Sequence, residues 1–265
     1  MIRLAVSDMD GCLLDPQGHL APEFHDLLDL MAQNGCVFAA ASGRSRPGAS
    51  APFGEDAARI ALITDNGSQV LYQGRRLALQ VPDQKLYLPV LAEAARHPGL
   101  IPVLCGCDHA YLSRDANPDA KAAAELHKYF PTWELLDDLT VLPEPIIKVA
   151  LLYFDDIERN IYPYFRRFSG ALKIQPTAYI WADVYSPDVS KGTGVRALQE
   201  KLGITREETA VFGDYLNDLA MKDFALHSYA PANAHPDVRS AFTDIIPSNA
   251  EGGVIRTLQQ LMAAR

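Results

Sequence analysis

The chain has 265 residues, 48% of them hydrophobic and 22% charged, with 17 Gly and 18 Pro, a usage that matches packed globular proteins and excludes a disordered chain. At roughly 150 residues per domain, this length holds one large or two medium domains, each able to bury about 70% of its unfolded surface without disulfide or metal staples. Lys and Arg total 24 against 33 Asp and Glu, a net charge of -9, so counterion release from a phosphate backbone cannot drive affinity and no nucleic-acid partner is expected.

The apolar run Ile2 to Ser7 predicts a short buried strand that delivers polar groups at its C-terminal tip. Phe24, Leu27, Leu28 and Met31 recur at helical spacing, and Gly35 follows Asn34 where a C-terminal cap belongs. Cys36 to Ala41 is a second apolar strand, ending in Ser42-Gly43-Arg44, and Ile60 to Thr64 a third, ending in Asp65-Asn66-Gly67. Strand, helix, strand, connection, strand implies right-handed crossovers and a parallel sheet. A hairpin of Gln69 to Tyr72 and Leu77 to Val81 around Gln73-Gly74 comes next. From there to about Tyr185 the pattern changes to alternating strands and helices, including strands at Val149 to Phe154 and Tyr179 to Val184. The first pattern then resumes: a helix marked by Val195, Leu198 and Leu202 and closed by Gly203, a strand at Thr209 to Phe212, a strand at Asp244 to Pro247 and a helix at Val254 to Met262. The expectation is a parallel-sheet α/β core of residues 1–80 and 186–265, interrupted by an inserted α+β domain of residues 81–185.

No stretch approaches 18 consecutive apolar residues, and the N-terminus lacks a basic region followed by a small-residue cleavage site, so a cytoplasmic protein without a membrane partner is expected. Cys12, Cys36, Cys105 and Cys107 are too few and too irregular for a disulfide framework and read as reduced thiols. Cys105-x-Cys107 has no second pair to complete a metal site, and the seven His show no ligand spacing.

Asp8-Met9-Asp10-Gly11 leaves the first strand, and Gly213-Asp214-Tyr215-Leu216-Asn217-Asp218 leaves a later one, at the sheet edge where open α/β sheets bind ligands. Each acidic pair alone is explained by helix capping. Side by side, at least three carboxylates would converge without an equal number of cations, a surplus that suits a hard divalent ion; Mg2+ fits, because it accepts a few carboxylates and keeps waters for a phosphate.

Asp8-Met9-Asp10-Gly11-Cys12-Leu13-Leu14-Asp15, Ser42-Gly43-Arg44, Ser190-Lys191-Gly192 and Gly213 to Asp218 stand in the order of the four signature motifs of the haloacid dehalogenase superfamily, which this chain resembles over nearly its whole length. The long insertion after Asn66, together with Ala232-Asn233-Ala234 and Ser248 to Val254, is similar to the Cof-type subfamily with a class II cap of subtype B. The resemblance implies a Rossmann-like core and a Mg2+-dependent phosphatase of small phosphomonoesters, sugar phosphates or related metabolites, with the inserted domain closing over bound substrate.

Carried over motif by motif, the resemblance makes Asp8 the nucleophile that forms an aspartyl phosphate and Asp10 the group that protonates the leaving alcohol and then deprotonates water. Asp8, the Asp10 main-chain carbonyl and Asp214 hold the metal, with Asn217 and Asp218 completing its shell or orienting its waters. Lys191 neutralises charge at Asp8, and Ser42, Lys191 and Asn217 join backbone groups at Gly11 and Gly43 in binding the phosphoryl oxygens. Arg44 and Asn66 fall near the substrate entrance, although exposed loop Arg and Asn-Gly turns have plainer explanations. Cys12 stands where the family usually has Thr. A phosphotransferase or mutase that passes the same phosphoryl group to a second hydroxyl is the alternative within enzymes, and a catalytically silent phosphosugar-binding protein the alternative outside them. No motif addresses oligomeric state.

Overall fold

In a computed structural model, residues 1–130 and 132–263 are described. The chain separates into two compact units, Met1–Leu79 with Ser190–Arg265, and Gln80–Val189. The breaks fall between Leu79 and Gln80 and between Val189 and Ser190, so residues 186–189 go with the second unit.

In chain order the strands are β1 (Leu4–Asp8), β2 (Val37–Ala41), β3 (Ala61–Thr64), β4 (Gln69–Tyr72) and β5 (Arg75–Leu79), then β6 (Ile101–Gly106), β7 (Ala110–Ser113), β8 (Trp133–Leu136), β9 (Ile146–Leu152), β10 (Lys173–Ala178) and β11 (Trp181–Tyr185), then β12 (Thr209–Phe212), β13 (His227–Pro231) and β14 (Asp244–Ile246). The first unit is built on one sheet of order β14-β13-β12-β1-β2-β3-β4-β5. Its pairings are parallel from β14 to β3 and antiparallel across β3-β4-β5. The central strands are apolar along both faces because both faces are covered. Ala5, Phe38, Ala40, Ala210 and Phe212 pack with Phe24, Leu27 and Met31 of the helix Phe24–Gln33 and with Leu258 of the helix Gly253–Ala263. Leu4, Val6, Ala39 and Val211 point the other way, onto Val195 and Leu198 of the helix Lys191–Leu202. The strand period of two sends alternate residues to opposite layers.

The predicted elements of this unit stand within a few residues of their expected ends, Gly203 closing its helix in the left-handed conformation at φ +63°. The strand His227–Pro231 has no apolar run or alternation to announce it; it exists because it pairs between β12 and β14.

The second unit has a sheet of order β10-β11-β9-β6-β7-β8, antiparallel except at β7–β8. Tyr87, Val90 and Ala94 of the helix Gln84–Ala94 cover one face, and Leu126 of the helix Ala120–Tyr129 packs on the other with Val103, Leu112, Ala150 and Trp181. Among the described residues no helix is long and apolar enough to cross a membrane.

Candidate active site

β1 pairs with β12 on one side and β2 on the other, so the strand order reverses there. Such a switch point opens a crevice at the C-terminal strand ends, and the four polar loops of the first unit leave from these ends. Asp8 is the last residue of β1. The chain then makes one wide turn, Met9–Leu13, closed by the Leu14 N–H donating to the Met9 carbonyl at 2.9 Å. Met9, Cys12 and Leu13 are buried and anchor this turn, while Asp10 stands out of it. Gly11 takes φ +81°, and a Cβ there would lie 2.4 Å from Asp214 Oδ2. Glycine is therefore required twice over, by backbone conformation and by the approach of a carboxylate.

Lys191 opens the helix Lys191–Leu202 behind a Ser190 cap whose Oγ accepts from the Thr193 N–H at 3.1 Å, with Thr193 Oγ1 accepting from the Ser190 N–H. Cβ atoms on Gly192 and Gly194 would collide with the Ala220 carbonyl and with Ile63; their absence lets the helix start come close enough to seat the lysine. The Lys191 side chain is buried and donates to Asp8 Oδ1 and, at 2.7 Å, to Asp218 Oδ1. Asp218 is wholly buried, and its Oδ2 accepts from the Asp214 and Tyr215 N–H groups at 2.9 and 3.0 Å. The structure thus gives Asp218 definite duties: it anchors the lysine and staples the loop after β12.

Carboxylate oxygens of Asp8, Asp214 and Asp218 all lie within 4.8 Å of one another. Asp214 Oδ1 is buried with no hydrogen-bond partner among the described residues. Three carboxylates and one ammonium leave a local surplus of negative charge. Burial pushes the Asp8 carboxyl well above its ordinary range, opposed by Lys191 and reinforced by Asp218. Burial and the neighbouring Asp218 raise Asp214 to about 6. Burial would depress the Lys191 ammonium, but Asp218 and Asp8 outweigh it and hold it above its usual value. Burial, with Asp8 next, raises the Cys12 thiol, so this thiol is no nucleophile.

Ser42 follows β2 and is buried; its Oγ accepts from the Arg44 N–H at 3.1 Å and its carbonyl from the Asn66 N–H at 3.0 Å. The Asp65 N–H donates to the Arg44 carbonyl at 2.9 Å, so the loops after β2 and β3 are fastened together. Asn66, at φ +56°, accepts at Oδ1 from Asn217 Nδ2 at 3.1 Å, and its amide group lies 3.3 Å from where a Gly43 Cβ would stand. Asp8, Lys191 and Asp218 therefore form one buried group with the half-buried Asp214 beside it, and Asn66 and Asn217 a second contact between loops. Asp10 is outside the carboxylate cluster: its side chain is gripped by Arg44.

Two residues to which the sequence motifs assign no role clasp the turn after β1. Asn233 Nδ2 donates to the Gly11 carbonyl at 2.7 Å, and its Oδ1 accepts from the Asn249 N–H at 3.0 Å. Asn249 Nδ2 donates to the Leu14 carbonyl at 2.9 Å. The signal available in the chain is the twice-occurring Asn-Ala, at 233–234 and 249–250.

The largely parallel sheet thus carries acidic side chains and a buried lysine at its switch point. The sequence profile of the haloacid dehalogenase-like hydrolases matches residues 5–258, and the chain belongs to that family. It is 27% identical over 263 residues to the 5-amino-6-(5-phospho-D-ribitylamino)uracil phosphatase YbjI of Escherichia coli K12, covering 98% of this chain and 96% of that protein. It is 28% identical over 249 residues to the HMP-PP phosphatase of Serratia proteamaculans, covering 91% and 87%. A solved structure from Eubacterium rectale superposes with a TM-score of 0.89 at 24% identity, covering 98% of this chain and 99% of that one. The chain is a phosphatase of this family.

Proposed function

We propose that this phosphatase is Mg2+-dependent and hydrolyses small phosphomonoesters, sugar phosphates or related metabolites, through an aspartyl phosphate on Asp8. The observation that carries the reading is the buried Asp8–Lys191–Asp218 group with Asp214 beside it. Burying charges is costly for a fold, and an apolar group of similar volume is often as stable. A nucleophile that must meet a phosphate dianion accounts for the arrangement.

The unpartnered Asp214 Oδ1 and the neighbouring carboxylate oxygens are a hard-oxygen donor set of the kind Mg2+ accepts. Asp8 and Asp214 would hold it by their side chains and Asp10 by its main-chain carbonyl, with Asp218 behind them. When bound, the ion supplies positive charge against the repulsion between the Asp8 carboxylate and the phosphate.

The chain's own groups do the rest. An Asp8 oxygen forms a bond to phosphorus while the ester P–O bond breaks, and Asp10 passes a proton to the leaving oxygen. Water then attacks phosphorus, Asp10 takes its proton, and the P–O bond to Asp8 breaks to regenerate the carboxylate and release phosphate. Lys191 stays on Asp8 throughout and offsets the charge that accumulates there. The Ser42 Oγ accepts from a backbone N–H, which leaves its hydrogen to donate to a phosphoryl oxygen; the N–H groups of Gly11 and Gly43 and the Asn217 amide add further donors. The two curated relatives, phosphatases of two different small phosphorylated compounds, support the small-metabolite class.

The test is a screen of phosphorylated sugars, nucleotides and cofactors with and without Mg2+, followed by acid quench and mass spectrometry of the peptide containing Asp8. A phosphoryl adduct on that peptide and an inactive, folded Asp8→Asn variant are expected. Turnover retained in Asp8→Asn refutes the covalent route.

A further inference from the structure

The sequence motifs place Arg44 near the substrate entrance, and its guanidinium is directed at Asp10. Nε donates to Asp10 Oδ2 at 2.9 Å and Nη2 to Asp10 Oδ1 at 2.5 Å, a two-point fork on one carboxylate. Nη1 donates to the Gly48 carbonyl at 3.3 Å. The backbone of Arg44 is fixed as well, its N–H to Ser42 Oγ and its carbonyl to the Asp65 N–H. The arginine is therefore held at its base and along its edge, and it presents a rigid planar fork to Asp10. The side chains are 36% and 55% exposed, and a pair this open to water adds little to stability. Its worth must lie elsewhere than in the fold.

Asp10 is exposed, two residues beyond Asp8 on a turn anchored by the buried Met9, Cys12 and Leu13, and it lies outside the carboxylate cluster. A carboxylate that serves first the leaving oxygen and then a water must keep a fixed plane, since proton transfer needs heavy atoms about 2.6–3.2 Å apart. A fork fixes both the position and the plane of a carboxylate, which a single point charge cannot do.

We propose that Arg44 is a positioning residue for Asp10: it acts on turnover by orienting that carboxylate and contributes little to substrate affinity. The inference rests on the reading of Asp10 as the acid/base of the phosphatase reaction. A misplacement of about 1 Å costs roughly 100-fold in rate, which sets the scale expected when the fork is removed.

The experiment measures kcat and KM for phenyl phosphate and p-nitrophenyl phosphate in the wild-type enzyme, Arg44→Ala, Arg44→Lys, Asp10→Asn and the Asp10→Asn/Arg44→Ala double variant. Arg44→Ala should lower kcat for phenyl phosphate by about 100-fold with KM changed little. The loss should be smaller for p-nitrophenyl phosphate, whose leaving group needs no proton. Melting temperature should stay at the wild-type value, and Arg44→Lys should recover part of the rate. In the Asp10→Asn background, Arg44→Ala should cost nothing further, because it acts through Asp10. A raised KM with unchanged kcat, or losses that multiply in the double variant, overturns the inference and leaves the acid/base reading intact. Wild-type turnover in Asp10→Asn overturns both.

Discussion

Replacing Lys191 by Met tests the charge arrangement on which the proposed mechanism depends. The substitution keeps the length of the side chain and removes its ammonium from between Asp8 and Asp218. At the 2.7 Å separation from Asp218, two unit charges interact by about 6 kcal/mol at an effective dielectric near 20. Part of that is offset by the desolvation of the lysine itself, and breaking a buried pair by deleting one partner typically costs about 3–5 kcal/mol. For a domain of this size that lowers the melting temperature by about 6–20 °C. Turnover should suffer more, by at least about 1000-fold, because the loss of a single fixed donor at a developing charge already costs 100- to 1000-fold and here a full charge goes. Calorimetric melting and steady-state turnover with and without Mg2+ separate the two effects. Mg2+ should recover part of the stability, since it offsets the same surplus of carboxylates, and should leave turnover depressed. A Lys191→Met enzyme within tenfold of wild-type kcat, or one with an unchanged melting temperature, would refute the reasoning.

Gly11→Ala places a Cβ at φ +81° and 2.4 Å from Asp214 Oδ2; it should destabilise the protein by about 1–2 kcal/mol and weaken Mg2+ binding by about 10- to 100-fold in titration calorimetry, and unchanged affinity would remove Asp214 from the ligand set. In the metal-free protein Asp214 is raised to about 6 and Asp8 is raised as well, so between the ordinary carboxylate range and pH 6 the unfolded chain gives up these protons before the folded one does. Stability from these groups is therefore present at low pH and lost as pH rises through that window. At the proposed site Mg2+ would bind the deprotonated form, so its gain in melting temperature should be larger at about pH 7.5 than at about pH 5; a gain at pH 5 as large as that at pH 7.5 contradicts the shifts. Chelation by EDTA should abolish turnover and Mg2+ restore it, with Ca2+ a poor substitute because of its looser coordination; full turnover after exhaustive chelation would rule out the metal.

Most strands of the first sheet and the chemistry-bearing residues at their tips are legible in the chain. Apolar runs such as Leu4 to Ser7 and Thr209 to Phe212 are buried on both faces and so declare themselves by composition, and the residues just beyond them, Asp8 and Gly213-Asp214, land at the C-terminal edge for topological reasons. The resemblance of four short motifs to those of the haloacid dehalogenase family groups Asp8, Lys191 and Asp214, although Lys191 lies 183 residues from Asp8. The partner that each polar group takes is set by the folded chain as a whole. In the chain Asp218 reads either as a cap or as a group completing a metal's shell; its oxygens on Lys191 and on two backbone N–H groups give it a further, structural duty. The partner of Arg44, a fork on Asp10, is not legible in its loop, and Asn233 and Asn249 carry no periodicity that ties them to Gly11 and Leu14, more than 200 residues earlier. The strand His227–Pro231 likewise owes its existence to its neighbours and not to its composition. Hydrophobic burial is written in local pattern because it depends on residue type and spacing, whereas a hydrogen bond between distant loops depends on where the whole chain has brought two atoms, and no local pattern records that.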